Sequence, residues 1–348
     1  MAGTVYGTSE LLEVSSHIKI LTPFWLGFFP RQINFDTEEI FFDKVDRDYR
    51  RLAPLVAPNV QGRPMTLTGY SSLSFKPAYT KPKHVVDPNM VIERRAGERL
   101  GTGSMSLWQR RDAAINDILY QHQVMLTNLN EWLAARALID GTVTLTGDDY
   151  PTTVVNFRRD SSLTYTLAGA ARWSQSGALP LDDIDAARVN ANNRSGAKIT
   201  KIVMGGTAWG YFKARVDLAT ILNKNTGGYD ANVQLRADGY EGQEYMGTLA
   251  GSYGGGRLEL WVDTSKYKDS AGNEQFFLEQ KSVVGVSDIE GVQCYGAIKD
   301  FDAQLRPLTY FQKMWRNEDP SVEYILTQSA PLMVPKKPDA SFKIITSD

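Results

Sequence analysis

The chain has 348 residues, of which 42% are hydrophobic and 22% are charged, and its formal net charge at pH 7 is -2. This length is sufficient for about two or three domains, and the composition is that of a soluble globular chain. A balance of 38 Lys and Arg against 40 Asp and Glu argues against a protein that coats DNA directly.

Cysteine usage and the apolar runs exclude two further classes of protein. Cys294 is the only cysteine, so no disulfide forms within the chain, which fits a reducing cytoplasm. It lies in the apolar run GVQCYGAI, which favours a core position over a reactive thiol. The apolar run FWLGFF at residues 24–29 is far shorter than the about 20 residues of a membrane span, and no signal-peptide pattern is visible.

The first 30 residues are predicted to form an arm. A short helical pattern begins at the cap Ser9, and Pro23 and Pro30 then bound the aromatic run. Aromatic side chains are unfavourable in water, so we expect this run to dock on another surface.

A strand and a long hairpin are predicted next. The strand is EIFFDKV at residues 39–45, and alternating runs begin at Met65 and Leu73, with residues 69–72 as the hairpin tip. The return strand continues into YTKPKHVVDPNM, where Pro77, Pro82 and Pro88 restrict the chain to a sheet edge or an unpaired extended path. Because a two-stranded ribbon is not stable alone, it must lie on its own body or on a neighbouring copy.

This region is also the most basic part of the chain. Residues 44–99 contain 11 Lys and Arg against 5 Asp and Glu, a balance of +6, so the other residues carry -8. Such asymmetry fits either a basic arm on an acidic body or a merely solvated basic face. Candidate contacts between copies are Arg63, Lys76, Lys81, Lys83, His84, Arg94 and Arg95.

A very long helix is predicted after this region. It begins at the cap Ser106 and ends at Gly141, with a helical apolar stripe at residues 115, 118, 119, 126, 129 and 133. Its length of about 50 Å would support a sheet packed on it. A strand pair follows in GTVTLTGDDYPTTVVNF.

The second half alternates helix and strand. A helix opens at Asp182 or Asp183, with acidic residues in its first turn. A strand at residues 199–204, a Gly205-Gly206 turn and a helix carrying Trp209, Phe212 and Val216 come next. Glycine and asparagine at residues 223–256 predict loops, and the remaining chain reads as strands.

No motif predicts an active site. VMGGTAWG is the best candidate for anion binding, but it has no lysine, and glycines required for close packing explain it better. His17, His84 and His122 lie far apart in the sequence, and the chain has a single cysteine, so no metal-ligand spacing occurs. The G-x-S-x-G motif of a nucleophilic serine is also absent from the sequence. We therefore expect no catalytic, metal-binding or cofactor-binding residue, and His122 is predicted to pack in the core.

Four segments resemble the major capsid proteins of the phage lambda group. They are AYTKPKHVVDPNM (residues 78–90), DDIDAARVNA (182–191), YGAIKDFDAQ (295–304) and TQSAPLMV (327–334). The order of elements also resembles the tailed-phage capsid fold of the Hong Kong 97 type. The resemblance implies an α+β chain with an N-terminal arm (1–35), an extended β-hairpin loop (36–98) and a peripheral domain (99–190) with a spine helix at 106–140. A mixed α/β axial domain (191–305) and C-terminal strands returning to both domains (306–348) complete it.

The resemblance implies a shell protein without enzymatic activity. Copies would form hexamers and pentamers around packaged double-stranded DNA, in a shell that assembles on a scaffold protein in the host cytoplasm and expands as DNA enters. A portal and a small decoration protein are the other implied partners, and no membrane and no covalent cross-link are expected. The KPKH stretch would be the return strand of an arm that lies across a neighbour. The alternatives are an encapsulin-type nanocompartment shell and an unrelated cytoplasmic enzyme such as a hydrolase.

Overall fold

The computed structural model describes residues 23–37, 39–45, 70–93, 105–147, 150–216, 242–250, 257–269, 271–287, 289–304 and 306–347, together with the single residues 11, 55, 58 and 61. Within these ranges the α-helices are α1 (Pro88–Ile92), α2 (Leu107–Ile139), α3 (Pro180–Ser195) and α4 (Gly206–Arg215). Short 3-10 turns lie at Leu26–Phe28, Ser161–Leu163, Gly169–Ala171 and Pro338–Ala340.

The strands of the first half are β1 (Arg31–Asn34), β2 (Ile40–Val45), β3 (Tyr70–Phe75), β4 (Lys83–Val86), β5 (Thr142–Gly147), β6 (Tyr150–Asn156) and β7 (Thr164–Thr166). Those of the second half are β8 (Lys201–Gly205), β9 (Gln243–Ala250), β10 (Arg257–Asp263), β11 (Lys266–Lys268), β12 (Glu274–Phe276), β13 (Ser282–Val286), β14 (Val292–Tyr295), β15 (Phe311–Asn317), β16 (Val322–Gln328), β17 (Pro331–Val334) and β18 (Ser341–Ile345).

The predicted long helix is present as α2, and local side-chain chemistry sets both of its ends. Ser106 and Gln109 form a capping box at the start, each side chain bonding to the backbone N–H of the other residue. At the end, Gly141 has φ +68°, a left-handed backbone that glycine adopts without strain. The helix buries a stripe that includes Ile115, Ile118, Leu119, His122, Leu126 and Leu133.

A mixed six-stranded sheet with the order β7-β18-β13-β8-β10-β9 forms the centre of the molecule. Alternate residues of its strands point to opposite faces. One face packs on α2 through Val203, Val284 and Val286. The other packs on α3 and α4 through Ile202, Met204 and Val283. The described core therefore has three layers, with the sheet between the long helix and the two shorter ones.

Smaller sheets surround this core. One has the order β1-β14-β17 and another the order β15-β16-β4, while β2-β3, β5-β6 and β11-β12 are two-stranded. The strand pair predicted in GTVTLTGDDYPTTVVNF is thus confirmed as β5 and β6.

Two sequence-based expectations about strands were wrong. Residues 70–72, predicted at a hairpin tip, lie inside β3, which pairs with β2 in a register that joins Ile40 to Phe75 and Val45 to Tyr70. The run beginning at Met65 lies outside the described residues up to residue 69. Part of the predicted loop at 223–256 is the edge strand β9, because its partner β10 supplies the hydrogen bonds that composition could not reveal.

The KPKH stretch lies on its own chain. Thr80 bridges to Ser329, the Pro82 carbonyl accepts the N–H of Thr327, and β4 pairs antiparallel with β16. The predicted position at a sheet edge is confirmed. The prediction that this stretch lies across a neighbouring copy is wrong for residues 80–86, which pair with β16 of their own chain. β16 therefore lies between β15 and β4. Because successive side chains of a strand point to opposite faces, His84 and Val86 of β4 both face α2.

Candidate subunit interface and the residues around it

The predicted contact residues divide into two groups. Arg63, Arg94 and Arg95 lie outside the described residues. Lys76, Lys81, Lys83 and His84 lie on β4 or on the extended segment before it. Lys83 and His84 lie on β4, the outer strand of the three-stranded sheet formed by β15, β16 and β4.

The lysines of this segment rest on aromatic rings and remain exposed. The Lys83 Nζ lies 3.9 Å from the ring centroid of Tyr324 and 5.1 Å from that of Trp315, and these two rings stack at 5.3 Å. The Lys81 Nζ lies 4.9 Å from the ring centroid of Tyr79. Cation–π contacts at exposed sites are worth about 0.5–1 kcal/mol each, so they orient the ammonium groups without hiding them.

His84 faces the opposite way, into the contact between this sheet and the long helix. Its Nδ1 lies 2.7 Å from the Nε2 of His122, whose Nδ1 lies 2.7 Å from the hydroxyl of Thr327. Burial, and then the charge of His84, lower the pKa of His122 to about 4. His122 is fully buried, as predicted, and at neutral pH it joins β4 and β16 to α2 as an uncharged imidazole.

A buried ion cluster lies about three turns before His122, near the start of α2. The Nε and Nη2 of Arg111 donate to the two carboxylate oxygens of Glu323 at 2.7 and 3.0 Å, and Arg316 also donates to Glu323. Burial opposes the charge of Glu323, but the hydrogen bonds from both arginines outweigh it and lower its pKa. Sequence reasoning missed this cluster, although an arginine in register with the apolar stripe of α2 is a signal for it.

A cavity of about 220 Å³ opens beside Lys76. Tyr79, Tyr150 and Lys299 are among its lining residues. The Tyr79 hydroxyl donates to Gln328 at 2.8 Å and accepts the N–H of Lys299 at 3.0 Å. Lys76 and Lys299 are the cationic side chains among its lining residues.

The candidate anion site at Gly205 and Gly206 is already occupied by the chain itself. The Gly206 N–H donates to Gln280 Oε1 at 2.9 Å, and the Ala208 N–H donates to the Gln280 carbonyl. A Cβ on Gly205 would lie 2.5 Å from the Gln280 backbone. The glycines therefore permit close packing, as the simpler interpretation predicted.

The remaining chemical candidates are equally inert. Cys294 is buried, and burial raises the pKa of its thiol to about 12, so the thiolate is not formed at neutral pH. The described residues contain no group of His, Cys, Asp and Glu side chains able to hold a metal ion. Among them, no helix is long and apolar enough to cross a membrane.

Comparisons with known proteins identify the family of the chain. The family described as phage major capsid protein E matches residues 7–346. The major capsid protein of Escherichia phage N15 is 27% identical over 341 residues, and that of Escherichia phage lambda is 26% identical over 344 residues. Each alignment covers 97% of both chains. A prophage capsid protein of E. coli CFT073 has a similar fold, with a TM-score of 0.73 at 23% identity over 99% of this chain and 100% of that one.

The family match spans nearly the whole chain, and the relatives align with it from end to end. The chain therefore belongs to the phage major capsid protein E family and is a structural protein of the virion shell of lambda-like tailed phages rather than an enzyme.

Proposed function

We propose that copies of this chain form the hexamers and pentamers of a closed shell with the Hong Kong 97-type arrangement. In this arrangement residues 1–35 are the N-terminal arm and residues 36–98 the extended loop, whose return segment at 80–86 lies on the body of its own chain. Residues 99–190 are the peripheral domain with its spine helix at 106–140, 191–305 the axial domain and 306–348 the returning strands. The fold shared with the prophage capsid protein and the long helix packed under a mixed sheet support this division.

One observation carries the proposal: β2 and β3 form a ribbon that, among the described strands, pairs with no other sheet. Ile40 and Phe75 at its base are buried, but Phe41 is 58% exposed. A two-stranded ribbon is marginally stable by itself in water. Residues 46–69 join the two strands, and a neighbouring copy would supply the surface that this excursion requires.

The exposed cations near the ribbon are the proposed contacts between copies. Lys76, Lys81 and Lys83 are exposed, and the basic side chains of Arg63, Arg94 and Arg95 are the other proposed contacts. His84 is half-buried against His122, so it would contribute through the edge of β4 rather than through its ring. Each exposed ion pair is worth about 0–1 kcal/mol, and repetition around a closed shell makes such weak contacts effective.

The shell would assemble in the host cytoplasm on a scaffold protein, expand as DNA enters, and carry a portal and a small decoration protein. Double-stranded DNA would contact its interior without sequence preference. An encapsulin-type compartment is the competing proposal, and the end-to-end match to phage capsid proteins favours the phage shell. Nuclease-protected DNA in particles from infected cells would support the phage shell, whereas a protein cargo without DNA would support the compartment.

The ribbon is tested by replacing residues 46–69 with a short Gly-Asn turn. This change keeps β2 and β3 and leaves residues 80–92, which belong to the described body, untouched. We expect a folded chain, verified by circular dichroism against the full-length chain, that forms no closed shells in electron micrographs. Shells of normal size from this variant would contradict the proposal.

A further inference from the structure

Two buried carboxylates hold the aromatic run near the start of the described chain. We call residues 24–29 the aromatic anchor. Glu131 of α2 accepts the backbone N–H of Trp25 through Oε1 and that of Leu26 through Oε2, both at 2.7 Å. Asp263, at the end of β10, accepts the indole N–H of Trp25 at 2.9 Å. The anchor is therefore joined to the long helix and to the central sheet at the same point.

The anchor is packed as tightly as a core element. Trp25 and Phe29 are fully buried, and Phe24 packs against Trp261 with ring centroids 5.2 Å apart. A Cβ on Gly291 would lie 2.4 Å from the Phe28 carbonyl oxygen. The prediction that this run docks on another surface is thus confirmed, and its docking surface includes two acidic groups that sequence reasoning did not single out.

We propose that Glu131 and Asp263 form a pH-sensitive latch, which holds the aromatic anchor firmly when Glu131 is protonated and loosens it when Glu131 ionises beside Asp263. The latch acts on the segment through which residues 1–22 join the body. It rests on contacts within one chain, so it stands apart from the proposed contacts between copies.

Opposing influences set the titration of Glu131. Burial raises its pKa, the backbone N–H groups of the anchor lower it, and the charge of Asp263 raises it again, with a result of about 7. Burial also raises the pKa of Asp263, which accepts further hydrogen bonds from Ser265 and Gln243. A carboxyl group with a higher pKa in the closed state than in the released state binds more protons when closed. The latch therefore weakens as the pH rises from about 4.5 to about 7.

The other described charges near this site are committed elsewhere. Lys201 lies over the rings of Phe28 and Trp261, within 3.9 Å of Glu259. Arg136, a turn beyond Glu131 on α2, pairs with Asp140 and donates to the Phe277 carbonyl. The described strands β13 and β17, which also pack against α2, present apolar side chains to this part of the core. Asp263 is thus the charged group whose field acts on Glu131.

Hydrogen–deuterium exchange of the full-length chain tests the latch. The protection factors of the amides of residues 24–26, corrected for intrinsic exchange, should fall about tenfold between pH 6 and pH 8, as follows from pKa values of about 7 closed and about 4.5 released. The amides of β13 in the central sheet provide the internal reference. In Glu131→Gln, which keeps the size of the side chain but cannot ionise, the protection factors should not change over this range.

A second variant keeps the test decisive if Glu131→Gln does not fold. Asp263→Asn retains an oxygen that can accept the Trp25 indole N–H but removes the charge that raises the pKa of Glu131. Glu131 then ionises at lower pH, so the loss of protection should move to lower pH and the change between pH 6 and pH 8 should become smaller than in the unaltered chain. An equal pH dependence in the unaltered chain and in either variant would overturn the latch.

Discussion

At the scale of single residues, the contact between the long helix and the β15–β16–β4 sheet depends on polar groups that satisfy one another. Arg111 and Arg316 surround Glu323, and His84 and Thr327 flank His122. Removing one member of such a buried set leaves its partners without hydrogen bonds, which costs more than the set contributes when complete. These side chains therefore fix the position of β4 against the body.

The His84–His122 pair predicts a specific loss of stability in acid. The pKa of His122 is about 4 in the folded chain and 6.5 for an ordinary histidine, so its contribution is complete above about pH 6.5 and declines as the pH falls towards 4. The chain should lose about 2 kcal/mol from this group by about pH 5. His122→Gln, which bonds without titrating, should reduce that loss, as measured by urea unfolding at about pH 7.5 and about pH 5. Identical losses in both chains would show that His122 does not govern the acid limb.

At the scale of elements, the sequence predicted what local chemistry determines. The ends of α2 follow from Ser106 and Gly141, and the first turn of α3 contains Asp182 and Asp183 as expected. What it could not predict was the choice of distant partners. The β2–β3 register joins residues 25 to 35 positions apart, and the β4–β16 register joins residues 237 to 243 positions apart. No local pattern encodes either register.

The same limit applied to the candidate interface and the aromatic anchor. The basic segment was visible from charge counting, but Lys83 meets Tyr324, and Glu131 meets Trp25, only in the folded chain. A single glutamate within the apolar part of α2 was the signal that could have indicated a buried partner for the anchor. Which copy-to-copy contacts the basic residues make stays a prediction.

Glycines within the central layers provide a prediction for the packing of elements. A Cβ on Gly285 of β13 would lie 2.2 Å from the Phe342 ring, so Gly285→Ala should destabilise the chain by about 1–3 kcal/mol. Gly210 of α4 has no heavy atom within 4 Å of such a Cβ, so Gly210→Ala should stabilise by about 0.5–1 kcal/mol through helix propensity. Thermal unfolding of the two matched variants measures both effects, and a destabilising Gly210→Ala together with a neutral Gly285→Ala would contradict this packing.

At the scale of the whole molecule, charge is distributed unevenly. Residues 44–99 carry +6 and the remaining residues -8, a distribution that fits the proposed attraction between the basic region of one copy and the acidic remainder of another. Attraction of this kind acts at long range and weakens with salt. Assembly should therefore respond to the sign of charge on the basic surface and not only to its presence.

This reasoning predicts the order of three variants. Replacing Lys81 and Lys83 with Glu should reduce shell assembly more than replacing both with Ala, because repulsion then takes the place of attraction. Added salt screens these charges and should reduce the difference in assembly between the Glu and Ala variants. Light scattering of assembly at low and high salt measures the effect. Lys268→Glu, an exposed position on the β11–β12 hairpin, is the matched control and should change assembly little. Equal assembly of the Glu and Ala variants at low salt would refute an acidic docking surface.

The strand order of the central sheet has a consequence for how the chain is made. β18, at residues 341–345, is the last of that sheet's strands to be synthesised, yet it lies between β7 and β13. Until it leaves the ribosome, one edge of β13 has no partner, and Phe342 and Ile344 are missing from the core. Nascent chains thus cannot complete their main sheet before residues 341–345 have emerged, so assembly-competent subunits appear only after this strand has been synthesised.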